Sequence, residues 1–86
     1  MKTNQVNQQQ IIKPVLKLEI LKHKESIICA SLSGTVCTED PNDNPIFITI
    51  GISGDGDKGL QLCETEINKC RKKAYEFQLV RIESKV

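Results

Sequence analysis

Residues 46–53 read Ile-Phe-Ile-Thr-Ile-Gly-Ile-Ser, and this stretch says more about the fold than any other part of the chain. Isoleucine occupies every second position, which is the spacing of one face of a β-strand. The alternate positions hold Phe47, Thr49, Gly51 and Ser53, a set that is only partly apolar. A strand with one apolar and one mixed face is typical of an antiparallel or mixed sheet that is covered on one side.

A helix is predicted from about residue 58 to residue 74, shortly after this strand. Its apolar residues recur at helical spacing and form one narrow stripe. Acidic residues lie near its start and basic residues near its end, an order that suits the helix dipole. Because the stripe residues are mostly small, the helix can lie close to a sheet. They are Leu60, Cys63, Ile67, Cys70 and Ala74.

Three further strands are predicted around this strand and helix, over residues 15–22, 26–37 and 75–82. Each combines β-branched or other apolar residues with partial alternation. Gly34 falls inside the second strand and indicates a bulge or a sharp bend there. A tight hairpin closed at Ser33 and Gly34 is the alternative, and the sequence leaves it open.

The predicted fold is therefore an α+β protein with the element order β-β-β-α-β. One helix packs on one face of a four-stranded, mostly antiparallel sheet, which gives a two-layer sandwich. With 86 residues the chain has room for one small domain, predicted over residues 11–86. Residues 1–10 are polar and offer almost nothing to bury, so they are predicted to be a disordered tail.

The composition excludes several classes of function. A net charge of +1 is too close to neutral for a protein whose whole surface binds nucleic acid. No run approaches the roughly 20 apolar residues that a membrane-spanning helix needs. The first ten residues also lack the apolar segment of a signal peptide. We therefore predict a cytoplasmic protein that binds neither membranes nor nucleic acid.

Cysteine occurs four times, at spacings that do not resemble the paired ligands of a structural zinc site. Without a secretory signal, the thiols are interpreted as small buried hydrophobic groups. One or two disulfides and an all-cysteine metal site assembled from both halves of the chain are the alternatives. The four residues are Cys29, Cys37, Cys63 and Cys70.

A glycine-rich segment at residues 54–59 is predicted to be a loop between the third strand and the helix. Its G-x-G-x-x-G pattern in that position matches the dinucleotide-binding fingerprint, although its two carboxylates would lie beside the phosphates. Together with Glu66, the same aspartates match part of the spacing of a calcium-binding loop. The segment is therefore a second candidate site, for a nucleotide, another phosphate-bearing ligand or a divalent cation. Its residues are Gly54, Asp55, Gly56, Asp57, Lys58 and Gly59.

The sequence contains few residues that could act as catalytic groups. His23 is the only histidine, and it lies in a predicted turn. No predicted strand end places a nucleophile and a base beside it. The sequence therefore predicts a protein that is not an enzyme, with no catalytic residues, no cofactor and no bound metal.

The main functional hypothesis is a small protein-interaction module. It self-associates through the sheet face away from the helix, where a contiguous apolar patch would mark an interface, or through an edge strand. The partner is a second copy or another protein; an inhibitor of a host protein, carried by a phage or mobile element, is a special case. The predicted surface consists of Val15, Leu21, Phe47, Val80 and Ile82.

Overall fold

The computed structural model describes residues 13–86, and it confirms the β-β-β-α-β order within one four-stranded sheet. The predicted disordered tail, residues 1–10, lies outside the described residues. Within them, no helix combines the length and apolar character needed to cross a membrane. The elements are β1 (Val15–His23), β2 (Ser26–Glu39), β3 (Pro45–Asp55), α1 (Gly56–Lys72) and β4 (Gln78–Lys85).

The sheet has the strand order β3-β2-β1-β4. β2 is antiparallel to both β1 and β3, whereas β4 runs parallel to β1. The connection from β3 through α1 must therefore cross β2 and β1 before it enters β4. This crossover leaves β3 and β4 as the two edges of the described sheet.

The hydrophobic core lies between α1 and the sheet face that this helix covers, mainly over β2 and β3. Alternate residues of the central strands point into it, as expected for a sheet covered on one side. The helix contributes three members of its predicted stripe. The buried apolar residues are Leu16, Leu18, Ile20, Ala30, Leu32, Val36, Cys63, Ile67 and Cys70.

The second strand runs through Gly34 without a turn, so the hairpin alternative is wrong. The bulge predicted at Gly34 is also misplaced. The register shifts between Leu21 and Lys22, which pair with Cys29 and Ile27 and leave Ile28 as the extra residue. Gly34 itself pairs with Leu16 in regular register.

The helix ends slightly before its predicted limit because the chain turns there. Ala74 takes a positive φ of 61°, and its N–H donates to the carbonyl of Arg71 at 3.1 Å. The next N–H, of Tyr75, donates to the carbonyl of Cys70 at 3.1 Å. This pair of bonds is the Schellman arrangement that satisfies the last carbonyls of a helix. The turn delays the last strand, which begins at Gln78 instead of residue 75.

Candidate protein-interaction site

All five residues of the predicted surface lie on the sheet face opposite α1, which we call the open face. The face toward α1 is identified by the paired residues Leu18, Leu32 and Ile52, of which the first two are buried. Since side chains alternate along a strand, their sequence neighbours point the other way. The open face thereby includes Val15, Leu21, Phe47, Val80 and Ile82.

The structure does not bring these five residues into one patch. Four of them lie on the neighbouring strands β1 and β4, whereas Phe47 lies on β3 and pairs with Cys37. Phe47 and Ile82 are separated by three strand spacings and by six residues along β3, which amounts to roughly 25 Å. The predicted surface is therefore divided between the two edges of the sheet.

Polar side chains occupy the intervening area of the open face. On β1, Lys17 pairs with Val80 and Glu19 pairs with Ile82. On β2, the open face carries Ser31, Ser33 and Thr35 between the apolar groups. The contiguous apolar patch that the sequence suggested is therefore absent from this face of the described sheet.

The glycine-rich segment at residues 54–59 is not a loop. β3 continues to Asp55, and α1 begins at Gly56, so the segment is a direct junction between strand and helix. Gly54 and Gly59 lie against each other there: a Cβ on Gly59 would overlap the carbonyl of Gly54. This close approach by itself accounts for both glycines.

The structure does not bring the acidic residues of this junction, within the described range, together with a third possible metal ligand. Asp55 and Asp57 are both exposed, and Asp55 makes no side-chain hydrogen bond to the start of α1. Among residues 13–86, no three His, Cys, Asp or Glu side chains are grouped so that they could hold a metal ion. The geometry therefore offers nothing to support the second candidate site.

A groove of about 280 Å³ separates α1 from β1 and β4. Arg71 and Arg81 line it, but Arg81 donates from Nε to Oε2 of Glu83 at 2.9 Å. This hydrogen bond, together with the charge of Lys22 at 3.7 Å, lowers the pKa of the Glu83 carboxyl. Arg81 is thus engaged by an ionised carboxylate, and the groove does not present two free guanidinium groups.

The outer edge of β3 is surrounded by exposed apolar side chains. Ile46 is 40% exposed, Phe47 is 48% exposed and Leu62 of α1 is 50% exposed. From Ile46 to Ser53 the strand contains no charged residue and no proline. Within the described part of the chain, no strand pairs with β3 on this side.

The hydrogen bonds of β2 determine which backbone groups of β3 point outward. Cys37 exchanges two backbone hydrogen bonds with Glu76, at 3.0 and 2.7 Å, so its N–H and C=O point away from β3. Its pair with Phe47 is therefore not hydrogen-bonded. Because the two kinds of pair alternate, every second residue of β3 directs its N–H and C=O to the free edge. These residues are Phe47, Thr49, Gly51 and Ser53.

The sequence pointed toward an edge strand without indicating which strand it was. The available signal was the absence of charge and proline across residues 46–53. This absence indicates a binding edge only if the strand is known to lie at the edge of the sheet. That position depends on the crossover that carries the chain to β4.

Comparison of the chain with models of protein families, with curated proteins and with solved structures finds no match.

All four thiols are free, and they fall into two classes. Cys63 and Cys70 are buried, and burial raises the pKa of both, with a smaller effect of Glu64 on the first and Glu66 on the second. Cys29 and Cys37 are half-buried on the open face. They lie eight positions apart in one strand, roughly 26 Å, and so cannot bond to each other.

The two classes should differ in reactivity toward a thiol reagent. In the native protein at pH 8, we expect two rapidly modified cysteines, Cys29 and Cys37, and two slow ones. Since the thiolate is the reactive form, raised pKa values keep Cys63 and Cys70 slow until the chain unfolds. Mass spectrometry of alkylated peptides over time measures this directly, and equal rates at all four positions would contradict it.

Proposed function

We propose that the protein is a small non-catalytic interaction module that binds an extended protein segment along the outer edge of β3. The supporting observation is the lack of protection at this edge. Native sheet edges usually carry lysines, prolines or bulges that discourage pairing. β4, the opposite edge, carries Arg81, Glu83 and Lys85, whereas β3 carries no charge between Ile46 and Ser53.

The free edge supplies both affinity and selectivity for an incoming strand. Phe47, Thr49, Gly51 and Ser53 present four N–H donors and four C=O acceptors to it. Each hydrogen bond formed contributes about 0.5–1.5 kcal/mol after exchange with water. Exposed Ile46, Phe47 and Leu62 add apolar surface beside the edge, which favours a segment with apolar side chains.

A non-catalytic role is also consistent with the only histidine of the chain. Nδ1 of His23 lies 3.2 Å from the carbonyl oxygen of Val86, near the end of the sheet, so this ring nitrogen contacts a backbone group. The four free thiols are consistent with a reducing compartment, so we place this function in the cytoplasm.

Thr49→Pro is expected to weaken binding at the β3 edge strongly and to leave the fold intact. The N–H of Thr49 points outward, so proline removes no hydrogen bond of the sheet, and prolines are tolerated in this orientation. It does remove a donor from the interface and places its ring against the incoming strand. We expect a loss of affinity of about tenfold or more.

The test compares tagged wild type, Thr49→Pro and Thr49→Val as baits in a cell lysate supplemented with the untagged chain. Thr49→Val is the matched control because it keeps the N–H and favours a strand. Proteins retained by wild type and Thr49→Val but lost with Thr49→Pro are bound at this edge. If all three baits retain the same proteins, the proposed function is wrong. Circular dichroism verifies that each variant is folded.

A further inference from the structure

We infer that the segment bound at this edge is β3 of a second copy of the chain, antiparallel to the first and related to it by a two-fold axis beside Ile50. This inference rests on the proposed function. It adds the identity of the partner, the register of the two strands and a contact between the two helices.

The outward-pointing residues of β3 are spaced so that the strand can pair with itself. With Ile50 facing Ile50 of the second copy, Thr49 faces Gly51 and Phe47 faces Ser53. All four outward residues then meet outward residues, so every free N–H and C=O between positions 47 and 53 finds a partner.

With the axis at Ile50, Pro45 and Asp55 face each other at the ends of the paired strands, whereas a neighbouring register sets one of them against the uncharged stretch between Ile46 and Ser53. An axis at Thr49 would place Ser53 against Pro45, which has no N–H to donate. An axis at Gly51 would place Phe47 against the carboxylate of Asp55. With the axis at Ile50, the central isoleucines of both copies meet on the face toward the helices, where Ile48 lies opposite Ile52 of the second copy.

The flank of α1 above the β3 edge would also contact the second copy. Glu64, Asn68 and Arg71 face the groove beside β4. The opposite flank of the helix therefore carries Glu66 and Lys69, one and two turns beyond Leu62. This flank overhangs β3, as shown by the methyl of Leu62 that lies 3.9 Å from the Cβ position of Gly54.

The contact between Gly54 and Gly59 fixes how far along the helix the axis falls. Ile50 lies about 13 Å from Gly54 at about 3.3 Å per strand residue. Measured from Gly59 along α1, at about 1.5 Å per helical residue, the same distance reaches a point between Ile67 and Asn68.

An axis at that point relates two antiparallel helices and places Glu66 of each copy beside Lys69 of the other. The flank is therefore complementary in charge to itself, with two ion pairs formed by symmetry. Since a single sheet edge is narrow for a stable interface, these helix contacts widen the surface that a second copy buries. This self-complementarity favours a second copy over an unrelated partner.

The experiment is sedimentation equilibrium of the full chain under reducing conditions, over a concentration series. It compares wild type with Glu66→Lys, Lys69→Glu and the double exchange, together with Thr49→Pro. Each single exchange sets like charges against each other in both pairs, so we expect the dimer Kd to rise about tenfold. The double exchange restores both pairs and should return the Kd to within about twofold of wild type. Thr49→Pro should be monomeric.

Each other outcome has a distinct meaning. If wild type is monomeric throughout but Thr49→Pro still changes the set of proteins retained from lysate, the second copy is wrong and the proposed function stands. If wild type is a dimer that Thr49→Pro leaves unchanged, the β3 edge is not the interface and the inference falls. If Thr49→Pro dissociates the dimer but the double exchange fails to restore the Kd, the axis at Ile50 is wrong.

Discussion

Gly34→Ala is expected to destabilise the fold by about 3 kcal/mol or more. Gly34 has a φ of +136°, a conformation that residues with a side chain rarely adopt. A Cβ there would also overlap the carbonyl oxygen of Val15 and lie 3.1 Å from Cα of Leu16. Both obstacles are backbone atoms of the neighbouring central strand, so no side-chain rotation can relieve them. The strands β1 and β2 would have to separate where Gly34 pairs with Leu16.

This loss is large relative to the stability of so small a domain. A chain of this length has a free energy of unfolding of about 4–13 kcal/mol, and we expect the Tm to fall by more than about 10 °C. Thermal and urea unfolding followed by circular dichroism measure the change. Gly51→Ala is the control, since no atom lies within 4 Å of its Cβ position. A Tm for Gly34→Ala close to that of Gly51→Ala would contradict the steric argument.

Local patterns predicted the elements well because each depends on neighbouring residues only. The alternation of isoleucine at residues 46–53 predicted β3, and its burial pattern alternates as the spacing requires. The stripe containing Cys63, Ile67 and Cys70 predicted the face of α1 that contacts the sheet. Even the position of the five open-face residues followed from alternation alone.

Glycine was the residue type whose role the sequence left ambiguous. A ligand-binding loop and a close backbone contact both require the absence of a Cβ, so Gly54 and Gly59 fitted either interpretation. Gly34 looked like a bulge, but it is needed because β1 approaches too closely for a side chain. These distinctions depend on which backbone lies opposite each glycine, and no local pattern contains that information.

Predicting the candidate site from the sequence would have required the order of the strands in the sheet as well as their positions in the chain. Whether β3 is an edge depends on the crossover that carries β4 to the far side of β1. Which of its N–H groups are free depends on the contact between Cys37 and Glu76, residues 39 positions apart in the chain. Contacts between distant residues are set by packing of the whole domain, and a single sequence does not reveal them.

Gly59→Ala is expected to destabilise the protein by about 2–3 kcal/mol, although alanine is the better helix former. In an unobstructed helix this substitution would stabilise by about 1 kcal/mol. Here a Cβ would overlap the carbonyl of Gly54, with Cα of Gly54 at 3.0 Å. Because these are backbone atoms of β3, the first turn of α1 must move away from the strand. That movement loosens the packing of Cys63 against the sheet, and the steric cost exceeds the gain in helix propensity.

Thr65→Ala is the matched control for Gly59→Ala, because Thr65 is an exposed position of the same helix. It tests helix propensity without a contact to β3, and we expect a small gain in stability, about 0.5 kcal/mol. The two substitutions should therefore shift the urea midpoint in opposite directions. A stabilising effect of both would mean that the junction at residues 54–59 has room for a side chain. The glycine pattern there would then need another explanation, and the position of the two-fold axis along the helix, between Ile67 and Asn68, would lose its reference point.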